Sequence, residues 1–282
     1  MARRGVLRAA SAVCALAWLG ACAMAPVAPT APAAQSAPAA PTGVAADLAP
    51  SGTLRAAINF GNPILAVKDP ATGEARGVSV DLARELGRRL NVPVKLVLYE
   101  SAGNVVAGQK SGAWDIAFLA VDPARASELY FTAPYVVIEG AYLVPERSAI
   151  RANTEVDRAG VRVVVGAGSA YDLFLSRELK QATLVRAPTS PAVTDMLVAQ
   201  NLDVAAGVKQ QLEADAKRVP GVRLLPGRFM VINQAVATPR GRTSGAGYLD
   251  AFVEEMKATG FVERSLARHG ISGASIAPAA TR

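Results

Sequence analysis

From Leu54 onward the chain alternates short apolar runs with stretches in which apolar residues recur at helical spacing. Residues 54–59 predict a strand. Residues 64–68 and 76–80 flank a turn rich in Pro and Gly, and residues 81–90 predict the first long helix. A second strand over 94–99, a weak helix over 105–110 and a third strand over 115–119 follow. Strands that alternate with helices predict an open, largely parallel α/β sheet. After a long apolar run at 135–144 the pattern restarts, with strands at 161–165, 183–186 and 204–206 and helices at 170–179 and 191–199. Two similar α/β units are implied, with no detectable sequence repeat between them. A second long extended run at 229–238 and a pair of amphipathic helices over 248–269, broken at Gly260, suit a chain that leaves one lobe, builds another and returns.

The N-terminus follows a different pattern. Residues 1–24 run from a basic start through an apolar stretch to small residues, without a single acid, which predicts an export signal. Its apolar stretch is short of the roughly 20 residues of a membrane span, so the mature protein is not expected to cross a membrane. Leu19, Gly20, Ala21 and Cys22 resemble a bacterial lipobox, which would put a lipid on Cys22; neighbouring Ala residues also offer ordinary cleavage sites. Arg3 and Arg4 fit an ordinary basic start or a twin-arginine signal. Residues 1–22 are thus expected to be a signal peptide and 23–50, rich in Ala-Pro, a tether. The folded body is expected to begin near Ser51, with residues 273–282 a disordered tail.

Charge narrows the function. The formal net charge is +7 over 282 residues, but Arg3, Arg4 and Arg8 lie in the export segment, so +4 is left on the mature chain. That excess is dispersed and has no aromatic residues interleaved with it, which argues against nucleic-acid binding. Cys14 and Cys22 are the only cysteines and His269 the only histidine. Neither a zinc site nor a histidine-based triad can be assembled, and no cofactor or metal is expected. Gly166-Ala-Gly168 after a strand invites a dinucleotide site, but Tyr171 occupies the third small position. Ser169 can instead cap the following helix, with Asp172 as a partial capping box, and the helix amides there can receive an anion or a ligand carbonyl.

Ser51-Gly-Thr-Leu-Arg55, Gly77-Val-Ser-Val-Asp-Leu-Ala83 and Gly112-Ala-Trp-Asp-Ile-Ala117 resemble motifs of the family 3 extracellular solute-binding proteins of bacterial ABC transporters. Asp122-Pro-Ala-Arg125, Tyr130-Phe-Thr-Ala-Pro-Tyr135, Gly166-Ala-Gly-Ser169, Asn201-Leu-Asp-Val-Ala205 and Phe252-Val-Glu-Glu-Met-Lys-Ala-Thr-Gly-Phe261 extend the resemblance over about residues 51–270. It implies a two-lobed periplasmic-binding-protein fold. Each lobe is an open, mostly parallel sheet flanked by helices, and two hinge strands join them. Residues 51–138 and 234–272 would form lobe 1 and residues 139–233 lobe 2.

The resemblance also implies a site. Arg125 occupies the position of the arginine that makes a two-pronged salt bridge to the ligand carboxylate, a role matched to the guanidinium fork. Other positions depart from the amino-acid binders. Asn59 and Val208 stand where acids hold the ligand ammonium, Asn62 and Ala102 where aromatics stack on it, and Ala120 where a hydroxyl precedes the arginine. Arg125 with Lys209 suits a carboxylate or other small anion, with Asn59, Asn62 and Asn104 as neutral partners. Ser169 can contact the ligand or only cap its helix; Lys209 can contact it or only carry a solvated charge. Asp122 and Glu139 are acids near the cleft that would restore an ammonium site.

The expectation is a monomeric, non-enzymatic, periplasmic substrate-binding protein, lipid-anchored through Cys22, that delivers a small polar solute to an inner-membrane ABC permease. The alternative is a periplasmic enzyme on the same fold, similar to the cyclohexadienyl dehydratases, with Glu139 or Asp122 as its acid.

Overall fold

A computed structural model describes residue 41 and residues 43–281. The chain begins there with α1 (Val44–Leu48), β1 (Leu54–Asn59), a small hairpin of β2 (Val67–Lys68) and β3 (Ala75–Arg76), and α2 (Val78–Leu90). It continues through β4 (Val94–Tyr99), α3 (Ala102–Lys110), β5 (Ile116–Ala120), α4 (Pro123–Ala126) and β6 (Leu129–Phe131). The long β7 (Val136–Pro145) leads to β8 (Arg162–Gly166), α5 (Ala170–Glu178), β9 (Thr183–Ala187), α6 (Val193–Ala199), β10 (Val204–Val208) and α7 (Lys209–Arg218). Last come β11 (Val222–Leu224), the long β12 (Met230–Pro239), α8 (Thr243–Ala258), α9 (Phe261–Arg268) and β13 (Ser275–Ile276).

Apart from the β2–β3 hairpin, the strands form one continuous curled sheet whose main path runs β4-β1-β5-β12-β7-β10-β8-β9, with β6 added on β12 and β11 and β13 on β7. At one end β1 pairs in parallel with β4 and β5. At the other, β8 pairs in parallel with β9 and β10. These two groups are the sheets of the two lobes. β12 closes the first group antiparallel to β5, and β7 closes the second antiparallel to β10. The lobes meet where β7 and β12 pair with each other, Val136 to Gly140 against Gln234 to Met230. The two long apolar runs are therefore shared by both lobes and are the covalent path between them, as hinge strands require.

Local sequence accounts for the elements. On α2, Val78, Leu82, Leu86 and Leu90 recur at helical spacing and are buried, and Asn91 in the left-handed conformation ends the helix. Central strands β5 and β10 are buried at every position, as strands covered on both faces must be. The break between α8 and α9 falls at Gly260, whose φ of 71° favours a residue without a Cβ. Trp114, fully buried beside Val105 and Leu119, donates its indole N–H to the Val105 carbonyl and fixes α3 on the first sheet.

Two boundaries differ from those expected. The folded body starts before Ser51: α1 packs on α8 with Val44 and Leu48 buried, and Asp47 accepts a hydrogen bond from the Gly245 amide. An Ala-Pro-rich composition concealed this, because a one-turn helix carries too few residues for periodicity to register. Residues 273–281, expected as part of a disordered tail, are likewise held to the body. β13 pairs with β7 at Val136 and Val137, and Lys257 donates to the Pro278 carbonyl. Strand pairing supplies from another part of the chain what the tail's own sequence lacks.

Candidate functional site

The cleft between the lobes is lined from lobe 1 by Asn59, Gly61, Asn62, Ala102, Leu119, Ala120 and Arg125. Lobe 2 adds Ser169, Ala170, Tyr171, Ser190 and Val208, and the hinge strand β12 adds Ile232 and Gln234. Arg125 dominates its electrostatics. It sits on α4, the short turn that follows β5, where Asp122 accepts a hydrogen bond from the Ala124 amide and Pro123 occupies the first turn. Only 4% of Arg125 is exposed. Its Nη1 donates to the Ala120 carbonyl at 2.9 Å and its Nη2 to the Gly168 carbonyl of lobe 2 at 2.8 Å. Its Nε–H is buried without an acceptor. Burial pulls the guanidinium down to about 10, an effect that nearby Asp122 opposes, so Arg125 is charged throughout the physiological range.

The asparagines present donors. Asn59 Oδ1 accepts from the Gly61 amide and Asn62 Oδ1 from the Ile64 amide, two local turns in which each side-chain oxygen is used and the NH₂ is the group's remaining donor. Across the cleft, Ser169 caps α5 by accepting from the Asp172 amide. The Asp172 carboxylate takes the Gly168 amide and is held by Arg186. Ala170 and Tyr171 are the first residues of α5, where backbone N–H groups have no intrahelical acceptor. Burial pushes the Tyr171 hydroxyl up to about 12, against the opposing effect of the Ser190 and Ser169 hydroxyls beside it, and keeps it a neutral donor. Among the described residues, no carboxylate lines this cavity.

The lobes are closed on each other. Besides the Arg125 to Gly168 bond, Arg177 of α5 pairs with Asp122 at 2.8 Å. Gly168, at φ 67°, approaches the start of α3 so closely that a Cβ there would lie 2.7 Å from the Gly103 Cα.

Residues 54–270 match the family described as bacterial extracellular solute-binding proteins, family 3. The chain belongs to that family. Its role as a family 3 solute-binding protein implies a small-molecule ligand and an ABC transporter permease as partner. No curated protein matches its sequence. Among solved structures, a mutant of ArgBP from T. maritima superposes with a TM-score of 0.70 at 18% identity, covering 81% of this chain and 100% of that one. The solute receptor for L-cysteine of Neisseria gonorrhoeae gives 0.70 at 22%, covering 80% and 92%. The ancestral amino acid-binding protein AncCDT-1, a precursor of cyclohexadienyl dehydratase, gives 0.67 at 20%, covering 79% and 96%. These likenesses establish the two-lobed α/β fold.

In this solute-binding protein the cavity brings together Asn59, Asn62, Ala120, Arg125 and Ser169, all assigned to the ligand on the sequence. It does not bring in the other two. Lys209 points to the hinge, where its Nζ pairs with Glu139 at 3.0 Å while Arg228 holds the second Glu139 oxygen. Asp122 caps α4 and pairs with Arg177 at the rim of the closed cleft. Both were placed by proximity in sequence to cleft residues, whereas an opposite charge from elsewhere in the fold decided where each points. Tyr171, Ser190 and Gln234 escaped the sequence reading. Gln234 carried a usable signal, being a polar residue within the apolar run of β12 and only 4% exposed. Cys22 lies outside the described residues.

Proposed function

We propose that this chain is the substrate-binding component of an ABC importer. It captures a small carboxylate-bearing solute by closing its lobes about β7 and β12 and delivers it to the permease. In this reading it works as a monomer in the periplasm, tethered by a lipid on Cys22. The observation that carries the reading is Arg125: a buried cation with an unpartnered N–H, in a cleft lined by further donors and, among the described residues, by no carboxylate. An α-ammonium group brought into this cleft would lose its hydration without gaining a counter-charge, at a cost of several kcal/mol.

The enzymatic alternative needs a buried acid facing the ligand. Glu139 is bound by two cations and Asp122 by Arg177, and neither lines the cavity, which favours binding without chemistry. A thermal-shift screen of the purified protein against carboxylates, sugars, polyamines and amino acids tests the proposal, because a ligand that binds only the folded state raises its midpoint. Carboxylates without an ammonium group are expected to give the largest shifts. Shifts confined to sugars or polyamines would overturn the proposal.

A further inference from the structure

Strand β12 carries one polar residue in an apolar row. Side chains two apart on a strand share a face, so Gln234 stands in line with Ile232 and Val236, both of which are buried. Gln234 lies opposite Ala120 of β5, whose carbonyl accepts Nη1 of Arg125, the residue that latches the lobes through Gly168. Residues directly opposite in an antiparallel pair present their side chains to one face, and Ala120 and Gln234 both line the cleft cavity. Only 4% of Gln234 is exposed. Its main-chain carbonyl accepts the Tyr135 amide, but its carboxamide has no hydrogen-bond partner among the described residues and opens on the cavity. A buried carboxamide in that state costs stability, and nothing in the fold uses it.

The neighbouring groups define what it is left to do. Asn59 and Asn62 have given their side-chain oxygens to the Gly61 and Ile64 amides, and Ser169 has given its oxygen to the Asp172 amide. The cation of Arg125, the asparagine NH₂ groups and the first amides of α5 suit a carboxylate. Gln234 Oε1 is, among the described residues, the one side-chain carbonyl of the cavity that accepts nothing, so it calls for a donor on the solute. That donor must be neutral, because no carboxylate among the described lining residues balances a cationic one. We infer that the captured solute is a hydroxy carboxylate and that Gln234 reads its hydroxyl. The solute O–H donates to Oε1, and Nε2 can donate to a solute oxygen. The inference rests on the proposal that the cleft holds a carboxylate, and it adds the second group the solute must carry. A deoxy analogue would bury the carboxamide unpaired, which is the penalty that separates the two.

Calorimetry of the purified full chain with glycolate, L-lactate, D-lactate and L-malate, each against its deoxy partner acetate, propionate or succinate, tests the inference. At least one hydroxy acid is expected to bind about tenfold or more tightly than its partner. Gln234→Leu, which continues the apolar row, is expected to bring that ratio to within about twofold of unity while leaving the deoxy acid within about threefold of its wild-type affinity. Gln234→Met keeps an unbranched side chain and gives the same reading if the branched one disturbs β12. Hydroxy and deoxy acids that bind equally well, and still require Arg125, would overturn the inference and leave the proposed function standing. A hydroxyl preference that persists in both Gln234 variants, or tighter binding of L-alanine than of L-lactate, would overturn it as well. Failure of every one of these carboxylates to bind would overturn both.

Discussion

In lobe 1 the cleft is met by a charged side chain, the Arg125 guanidinium beyond β5, whereas in lobe 2 it is met by main chain, the Gly168 carbonyl and the first amides of α5. The two lobes otherwise share a plan. Each has a parallel three-stranded core and a helix whose first turn is capped by a serine at the cleft, Ser101 on α3 and Ser169 on α5. The halves of such a cleft therefore fail in different ways. Side-chain charge is lost with one substitution, while main-chain donors survive any substitution that keeps the loop in place. Lobe 1 should therefore be sensitive to chemistry and lobe 2 to shape.

Removing the charge is the strongest way to break the comparison. Arg125→Ala should lower affinity for small anions several hundred-fold, the consequence of leaving a buried anion unpaired at about 3 to 5 kcal/mol. Arg125→Lys should recover only part of this, because one ammonium cannot replace the Ala120 and Gly168 contacts of the guanidinium and also serve the ligand. Calorimetry with the carboxylate that gives the largest thermal shift measures both, and an unchanged Arg125→Ala protein would show that lobe 1 contributes no charge to binding.

The next largest effect concerns stability in the same lobe. Asp115 is fully buried and held by Arg55 at 2.8 Å and Arg242 at 3.0 Å. Burial raises its pKa, but hydrogen bonds from Arg55 and Arg242 outweigh burial and hold the carboxyl below its ordinary value. Asp115→Asn should cost about 3 kcal/mol in urea unfolding at neutral pH. Because the folded-state value is depressed, this contribution is present above the unfolded carboxylate pKa of about 3.9 and is lost as pH falls through the lower folded value. The gap between wild type and variant should accordingly shrink in that acidic window. A gap that widens on acidification would contradict the assignment.

Shape in lobe 2 is tested by Gly168→Ala. The residue has φ 67°, and its Cβ would meet the Gly103 Cα at 2.7 Å, so the backbone must shift and the lobes part. Affinity should fall about tenfold, and scattering from the anion-saturated protein should report a larger radius of gyration than wild type. Wild-type closure in this variant would remove the Gly103 contact from the latch.

The rim and hinge pairs should matter least. Arg177 is about half-exposed but its partner Asp122 is buried, so Arg177→Ala leaves that carboxylate without its cation in the closed form and should lower affinity about fivefold. Lys209→Ala, outside the cavity, should leave affinity within about twofold of wild type. A tenfold loss on calorimetry would bring Lys209 back to the ligand.

The alternation of strands and helices, the two long hinge runs and the Ser169 cap were legible from residue order alone, because hydrophobic period and capping chemistry are local properties of the chain. It also carried Arg125, through the order and spacing of its motifs. Tertiary structure alone decided which side chains face the cleft. Lys209 and Asp122 are taken by Glu139 and Arg177, residues 70 and 55 positions distant, and no local pattern encodes such pairings. It also decided that α1 and β13 belong to the body, since each is too short to be stable without α8 or β7 to pack or pair with. The volume of the cavity belongs wholly to the tertiary level: it is the small space left between two surfaces, set by the Gly103 to Gly168 approach and the Arg125 latch rather than by any residue's own size.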